Sequence, residues 1–165
     1  MIPSQRTVTG DIIILMNIKS QLESALKDAM RSNDEVARCT IRMALSAIKL
    51  AEVEKGGTLE DTDLASILQK EVKSRREAIQ EGEKAGRPDL VEAAKADITV
   101  LEKFLPKAMD PAELERITHE VIAEVGATSM TDMGKVMKVL LPKLEGKAPN
   151  DQVSQLVRQL LQPPA

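Results

Sequence analysis

The sequence predicts an all-α protein, an N-terminal helical bundle or hairpin array followed by a small three-helix C-terminal module. Hydrophobic residues make up 42% of the 165 residues, yet Phe104 is the one aromatic residue of the chain. Strands draw on aromatic and β-branched side chains, so this composition favours helices. Apolar residues also recur at three- and four-residue steps from Ile18 to Leu161, which is the period of a buried helix face.

The N-terminal unit, residues 16–105, contains four predicted helices. Asn33 or Asp34 can cap the second helix, which is apolar on most sides and is therefore predicted to be central. The third helix begins after Thr58, and the fourth has Pro88 in its first turn. The predicted helix ends are Ser32-Asn33, Gly56-Gly57, Gly82 with Gly86, and Leu105-Pro106.

The C-terminal module, residues 107–162, contains three more helices. Asp110-Pro111-Ala112-Glu113 resembles a capping box with proline at the first helical position, and Gly126 ends that helix. Pro142 is predicted to end or kink the last turn of the next helix. Leu105-Pro106 is the predicted boundary, because proline disfavours a helical residue before it.

Residues 1–15 show no helical period and are predicted to be a disordered leader or a mis-called gene start. They contain no small-residue cleavage site of a signal peptide. No apolar run approaches the roughly 20 residues of a membrane helix, so no membrane association is expected. Cys39, the single cysteine, excludes an intramolecular disulfide and fits a reducing cytoplasm.

Catalytic chemistry has few candidates in this sequence. The single histidine, His119, is predicted to be solvated, and Cys39 to be a packed thiol on the second helix. Neither a Gly-rich phosphate loop nor an HExxH or GxSxG motif is present. We therefore expect no catalytic residues, no metal and no cofactor. The net charge of −3 argues against DNA as a partner.

Two basic clusters lie in the N-terminal unit. Arg38, Arg42 and Lys49 fall within about 40° on the second helix and form a candidate phosphate-binding face. The third helix carries the cluster Lys70, Lys73, Arg75 and Arg76. The favoured interpretation of both is ion pairing with glutamates three or four residues away, namely Glu35, Glu52, Glu71 and Glu77.

A third basic cluster follows an acidic helix in the C-terminal module. It comprises Lys135, Lys138, Lys143 and Lys147, and it suits phosphate contacts on a folded RNA. Gly134 is the candidate point of close approach for an RNA backbone, because a helical glycine costs roughly 1 kcal/mol against alanine. The alternatives left open are that the acidic and basic helices offset each other, and that Gly134 packs against the acidic helix.

Several motifs resemble the GatB/YqeY family, and the resemblance covers Met16 to about Leu161. The residues that carry it are Gly86-Arg87, Asp89-Leu90-Val91, Leu101-Glu102, Leu105-Pro106, Glu124-Val125-Gly126-Ala127, Asp132-Met133-Gly134-Lys135-Val136-Met137, Pro142 and Gly146-Lys147-Ala148. Two segments depart from the family pattern, residues 1–15 and the Pro149-Asn150 turn.

The resemblance implies a stand-alone relative of the tail of an aminoacyl-tRNA amidotransferase B subunit, where the tail is a helical appendage that engages the tRNA body. It implies an accessory module without catalysis of its own. The expected partners are tRNA and either an aminoacyl-tRNA amidotransferase or a tRNA synthetase. A protein–protein adaptor is the alternative, and a carbon–nitrogen ligase with glutamine as amido-N-donor is a weaker alternative by family association.

Overall fold

The computed structural model describes residues 17–162, and these residues form seven α-helices and no strand. The all-α prediction is confirmed. The helices are α1 (Ile18–Ser32), α2 (Glu35–Lys55), α3 (Asp61–Lys84), α4 (Pro88–Glu102), α5 (Pro111–Val125), α6 (Met133–Leu144) and α7 (Asn150–Leu161). The predicted leader, residues 1–15, lies outside the described residues.

Side-chain caps start three of these helices. Asn17 accepts a hydrogen bond from the Ser20 N–H (2.8 Å), and Asp34 accepts one from the Ala37 N–H (3.0 Å). Asp34 is therefore the cap of α2, whereas Asn33 ends α1 in the left-handed conformation, φ +53°. The predicted cap at Asp110 is also confirmed, because its carboxylate accepts from the Ala112 N–H (2.8 Å).

Helix α6 begins at Met133, the first apolar residue of the predicted helix, but Pro142 does not have the first of its two predicted effects, an end or a kink of the last turn. A 3₁₀ turn, Met130–Asp132, precedes the helix and has no signal in the apolar period. Pro142 does not end α6, which continues to Leu144. Proline blocks a helix through its missing N–H and its clash with the preceding turn, but residues after it can still complete the last turn. Glu145 and Gly146, both at positive φ, end the helix instead.

The chain divides into two compact units. Within the described residues, unit 1 comprises residues 17–59 and 70–104, and unit 2 comprises 60–69 and 105–162. Unit 1 ends at Phe104 and unit 2 resumes at Leu105, while the division into domains of residues 16–105 and 107–162 stays a prediction. Residues 60–69 were expected in the N-terminal unit but are grouped with unit 2, so the chain of α3 contributes to both.

The core of unit 2 is aliphatic. Its buried residues come from α5, α6, α7 and the turn before α7: Leu114, Val121, Val136, Leu140, Leu144, Ala148, Val153, Val157 and Leu161. Thr118 is also fully buried, and its hydroxyl donates to the Leu114 carbonyl (2.7 Å), so its polar atom is satisfied.

Gly146 contacts residues 60–69 and so connects them to the rest of unit 2. A Cβ added to Gly146 would lie 2.7 Å from the Ala65 Cβ, and the backbone of Gly146 has φ +73°. The Gly146 carbonyl also accepts a hydrogen bond from Gln69 Nε2 (2.7 Å). Glycine is required at this position both by its conformation and by the close approach of α3.

Unit 1 is held by a polar cluster as well as by aliphatic packing. The Thr40 hydroxyl donates to Asp97 Oδ1 (2.7 Å), and Arg75 Nε lies 3.5 Å from Asp97 Oδ2. Arg75 also pairs with Glu71 one turn earlier, as the sequence predicted. The cluster connects α2, α3 and α4, because these residues come from three different helices.

One face of α2 is open to solvent, although its apolar residues occur on most sides of the helix. Val36, Met43, Leu50 and Val53 are all at least 46% exposed. Cys39 lies on the same face and is exposed, so the predicted packed thiol is wrong. The apolar residues of α2 occupy more of its circumference than its neighbours cover.

No helix among residues 17–162 is long and apolar enough to cross a membrane. Over the same residues, no cluster of three histidine, cysteine or acidic side chains has the arrangement of a metal site.

Candidate nucleic-acid interface

Helix α6 presents Gly134 and Lys138 on one face. The two residues are four positions apart, which places them within about 40° of each other around the helix. Both are exposed. Lys138 makes no ion pair with a carboxylate of the described residues, so its ammonium group is free to bind an anion.

Lys135 is oriented by Asp132. Its Nζ lies 3.1 Å from Asp132 Oδ1, while Asp132 Oδ2 accepts a hydrogen bond from the Thr128 N–H (3.2 Å). The Thr128 N–H, and then Lys135, lower the pKa of the Asp132 carboxyl. Asp132 is therefore charged near neutral pH, and Lys135 can reach a phosphate only by sharing or leaving this carboxylate.

Lys143 and Lys147 are also paired with carboxylates. Lys143 binds Glu124 on α5, and Lys147 Nζ lies 2.9 Å from Glu145 Oε2. The hydrogen bond between Lys147 and Glu145 lowers the pKa of Glu145 and raises that of Lys147, so this pair stays charged at neutral pH.

The four lysines do not form one basic edge. Lys143 lies about 140° from Lys138 around α6, on the side that contacts α5. The ion pair between Lys143 and Glu124 fits the alternative that the acidic helix and the basic helix neutralise each other. Of these four lysines, only Lys138 has no carboxylate partner among the described residues.

A groove of about 290 Å³ lies beside Lys138. Its walls come from α6 and from the first turns of α3, both within unit 2. Both apolar and polar residues line it: Thr62, Asp63, Ser66, Met137, Lys138, Leu141, Pro142, Leu144, Gly146, Ala148 and Asn150. Thr62, Asp63 and Ser66 could not be predicted as part of this site, because about 70 residues separate them from the α6 wall and no local signal connects the two.

Gly134 has open space around it. A Cβ added there would meet no atom within 4 Å, so Gly134 does not pack against α5, and that alternative is wrong. Its φ is not in the left-handed region either. Nothing within the described protein therefore explains a glycine at this helical position, which leaves room for a ligand backbone.

The three basic residues of the candidate face on α2 differ in whether they form an ion pair. Arg38 pairs with Glu35 (Nη2–Oε1 2.8 Å), as the ion-pairing interpretation predicted. Glu52, however, pairs with Lys19 of α1 (2.8 Å) and not with Lys49. Arg42 and Lys49 thus keep no ion pair with a carboxylate of the described residues.

The two reactive side chains named from the sequence lie on exposed helix surfaces. His119 has a side chain that is 58% exposed, and its Nε2 lies 3.9 Å from Glu115 Oε1, so the prediction of a solvated histidine is confirmed. Cys39 is exposed on α2, beside Arg38 and Arg42.

The model of the Yqey-like protein family matches residues 19–161 of the chain. The chain belongs to the YqeY family. This family is related to the C-terminal tail domain of the GatB subunit, as the sequence motifs implied. The match includes α1 to α7, so both units of this YqeY protein belong to the family region.

Three curated relatives of this chain come from fungi. This YqeY protein is 31% identical to altered inheritance of mitochondria protein 41 of Clavispora lusitaniae over 122 residues, 72% of this chain and 71% of that protein. The corresponding Candida glabrata protein is 28% identical over 156 residues, 93% of this chain and 76% of that protein. An uncharacterized Schizosaccharomyces pombe protein is 32% identical over 91 residues, 55% of this chain and 74% of that protein.

The names of these relatives state no reaction and no substrate. Together with the family they indicate a small accessory protein. Protein 41 is named as mitochondrial in both fungi, and the cytoplasmic location expected for this chain stays a prediction.

Gly134→Ala tests the open space around Gly134. We expect the free protein to gain up to about 1 kcal/mol of unfolding free energy, because alanine is the better helix former and its Cβ meets no atom. Urea unfolding followed by circular dichroism measures this gain. A loss of stability would contradict the open geometry. Ala93→Gly, at an exposed position within α4, is the matched reverse change and should cost a similar amount.

Proposed function

We propose that this YqeY protein is an accessory tRNA-binding module that holds an RNA backbone along the Gly134–Lys138 face of α6. The observation that carries the proposal is an exposed helical glycine in open space, one turn before a lysine without a carboxylate partner. A glycine lets another backbone approach closely, and an unpaired ammonium group supplies the counter-charge for a phosphate.

The ligand proposed for the groove beside Lys138 is a folded RNA and not an extended single strand. Phe104 is the one aromatic side chain of the sequence, so unpaired bases have almost no stacking platform. Recognition would then depend on the shape and backbone of a folded RNA. Thr62, Ser66 and Asn150 line the groove. The Asn150 amide donates to the Ser66 hydroxyl (3.3 Å), and the remaining hydrogen-bonding capacity of these groups would serve ribose hydroxyls and phosphate oxygens.

The ion pairs limit the strength of this binding. Three of the four predicted lysines already face a carboxylate, and such a lysine can bind a phosphate only by giving up or sharing that partner. The overall charge of −3 adds no long-range attraction for RNA. We therefore expect weak binding, which fits a module that assists another enzyme. That enzyme, under this proposal, is an aminoacyl-tRNA amidotransferase or a tRNA synthetase.

Two single substitutions test the proposed face. Lys138→Ala should weaken tRNA binding several-fold and reduce the salt slope by about 1, because one phosphate contact is lost. Lys143→Ala removes the same charge on the α5 side of the helix and should leave both values almost unchanged. Fluorescence anisotropy with labelled tRNA at several salt concentrations measures both quantities.

The comparison of the two variants also separates the alternatives. Equal effects of Lys138→Ala and Lys143→Ala would indicate general electrostatic attraction and would count against the α6 face. A duplex DNA of similar charge should bind more weakly than tRNA at every salt concentration. Binding of tRNA unaffected by either variant would favour the adaptor alternative.

The ligase alternative has a separate test. Glutamine-dependent ligation needs an activated nucleophile and a phosphate-binding site. The sequence offers Cys39 and His119 but no phosphate loop. Under the accessory proposal the purified protein releases no ammonia from glutamine, with or without ATP and tRNA. Turnover that disappears in Cys39→Ala would establish the ligase alternative.

A further inference from the structure

Exposed apolar residues are concentrated on one helix of unit 1. Seven large hydrophobic side chains of the described residues are exposed, and four of them lie on α2: Val36, Met43, Leu50 and Val53. Their exposed fractions rise from 46% at Val36 to 71% at Val53. Single exposed apolar residues are ordinary on a protein surface, but a contiguous set on one face indicates a binding surface.

The spacing of this set is that of a helix-binding seam. Val36, Met43 and Leu50 are seven residues apart, and Cys39, Ser46 and Val53 follow each of them by three. We call these six residues the α2 stripe. Alternating steps of three and four place them along one side of the helix, which is the pattern that a second helix packs against.

One border of the α2 stripe is basic. Arg38, Arg42 and Lys49 lie along the same side of α2, and Arg42 and Lys49 have no ion pair with a described carboxylate. An open depression of about 440 Å³ is lined by Arg38, Cys39, Arg42, Met43 and Ser46. The stripe therefore combines apolar contact area with unneutralised positive charge along one edge.

We propose that the α2 stripe docks an amphipathic helix of a partner protein, with acidic residues along the edge that faces Arg42 and Lys49. The stripe would bury the apolar side of that helix, and the basic border would fix its orientation and register through opposite charges. The partner surface is defined here by its chemistry, and this inference does not depend on RNA binding by unit 2.

Two other occupants fit the stripe less well. RNA gains little from contact with four aliphatic or thioether side chains, and the stripe has no aromatic residue for base stacking. A second copy packed antiparallel on the same stripe would bring Arg42 and Lys49 of both copies together, and such like-charge contact is unfavourable.

The test uses two synthetic helical peptides and the full chain. Both peptides are about three heptads long with leucine at the seam positions. One carries glutamate at the flanking positions, and the other carries lysine there. The acidic peptide should bind at least about tenfold more tightly than the basic one, a difference of about 1.4 kcal/mol. It should also slow alkylation of Cys39 by iodoacetamide, because the single thiol of the chain lies within the stripe.

A pair of exposed-residue variants gives the matched control. Leu50→Gln should weaken acidic-peptide binding about tenfold or more, and its 61% exposure means that folding is little affected. Met30→Gln changes a residue of similar exposure (51%) on α1, outside the stripe, and should bind like the unmodified chain. Melting temperatures of both variants check that they are folded.

Five outcomes would overturn the proposal. Equal affinity for both peptides, or none for either, would remove the acidic helix as the occupant. A dimer in sedimentation equilibrium that Leu50→Gln dissociates would assign the stripe to a second copy. Protection of Cys39 by tRNA in place of the acidic peptide would assign it to RNA. Cys39 that reacts quickly only after residues 1–15 are removed would show that the chain covers its own stripe.

Discussion

Gly146→Ala is expected to lower the unfolding free energy by about 3 kcal/mol. Part of this loss, about 1–2 kcal/mol, comes from placing a Cβ in the left-handed conformation that Gly146 adopts, φ +73°. The rest comes from overpacking, because the new Cβ would lie 2.7 Å from the Ala65 Cβ and α3 or the Gly146 turn must shift. Urea unfolding followed by circular dichroism at 222 nm measures the change.

Gly126→Ala is the matched control for the contact with Ala65. Gly126 also has positive φ (+63°), but an added Cβ meets nothing within 4 Å. The expected loss is therefore the conformational part alone, about 1–2 kcal/mol. Adding Ala65→Gly to the Gly146→Ala variant should recover part of the contact cost. Equal losses at Gly146 and Gly126 would show that α3 does not press against this turn.

The Gly146 substitution also bears on function. Residues 60–69 form one wall of the groove beside Lys138, and the Gly146 turn holds them through the contact with Ala65 and the Gln69 hydrogen bond. A variant in which this segment moves should therefore lose tRNA affinity even at temperatures where it remains folded. Gly126→Ala leaves that wall in place and should therefore retain the tRNA affinity of the unmodified chain.

Arg75→Ala is expected to cost about 2–3 kcal/mol of unfolding free energy. The Arg75 side chain is 13% exposed and lies between Glu71 and Asp97, whose side chains are 25% and 31% exposed. Removing the guanidinium group leaves two partly buried carboxylates without their cation. Truncating one partner of a buried ion pair costs 3–5 kcal/mol, and the partial exposure of both acids places this case below that range.

Arg76→Ala removes the same charge at the next position and is the matched control. Arg76 is 65% exposed and lies 3.4 Å from Glu102, so its loss should cost less than about 0.5 kcal/mol. Thermal unfolding of both variants in the same buffer compares them directly. Similar melting temperatures for the two variants would mean that the Arg75 cluster does not stabilise unit 1.

Local signals in the sequence were enough for the helices. Apolar period, capping residues and glycines at helix ends act over a few residues, so Asp110 and Gly126 could be assigned without a structure. Asn33 and Asp34 stayed alternatives until the structure identified Asp34 as the cap of α2. The same reasoning identified Gly134 as an exposed helical glycine that needs an explanation. The 3₁₀ turn Met130–Asp132 was missed, because three residues carry no period.

Contacts between residues far apart in the chain could not be predicted from the sequence. The pairing of Gly146 with Ala65 joins residues about 80 positions apart and moves residues 60–69 into unit 2. The wrong prediction that Cys39 is packed has the same cause. An apolar period shows which side chains of α2 could be buried, but not which side of α2 the other helices cover. The partner of Lys143, Glu124, is likewise set by the packing of α6 on α5.

The salt dependence of tRNA binding by the unmodified full chain tests the central claim most directly. Each phosphate contact releases counterions, so the slope of log affinity against log salt counts the contacts. The arrangement of one unpaired and three paired lysines predicts measurable binding at about 50 mM salt with a shallow slope, of magnitude about 1 to 3. No binding at that salt concentration, or binding that salt leaves unchanged, would contradict the proposal that this protein holds an RNA backbone.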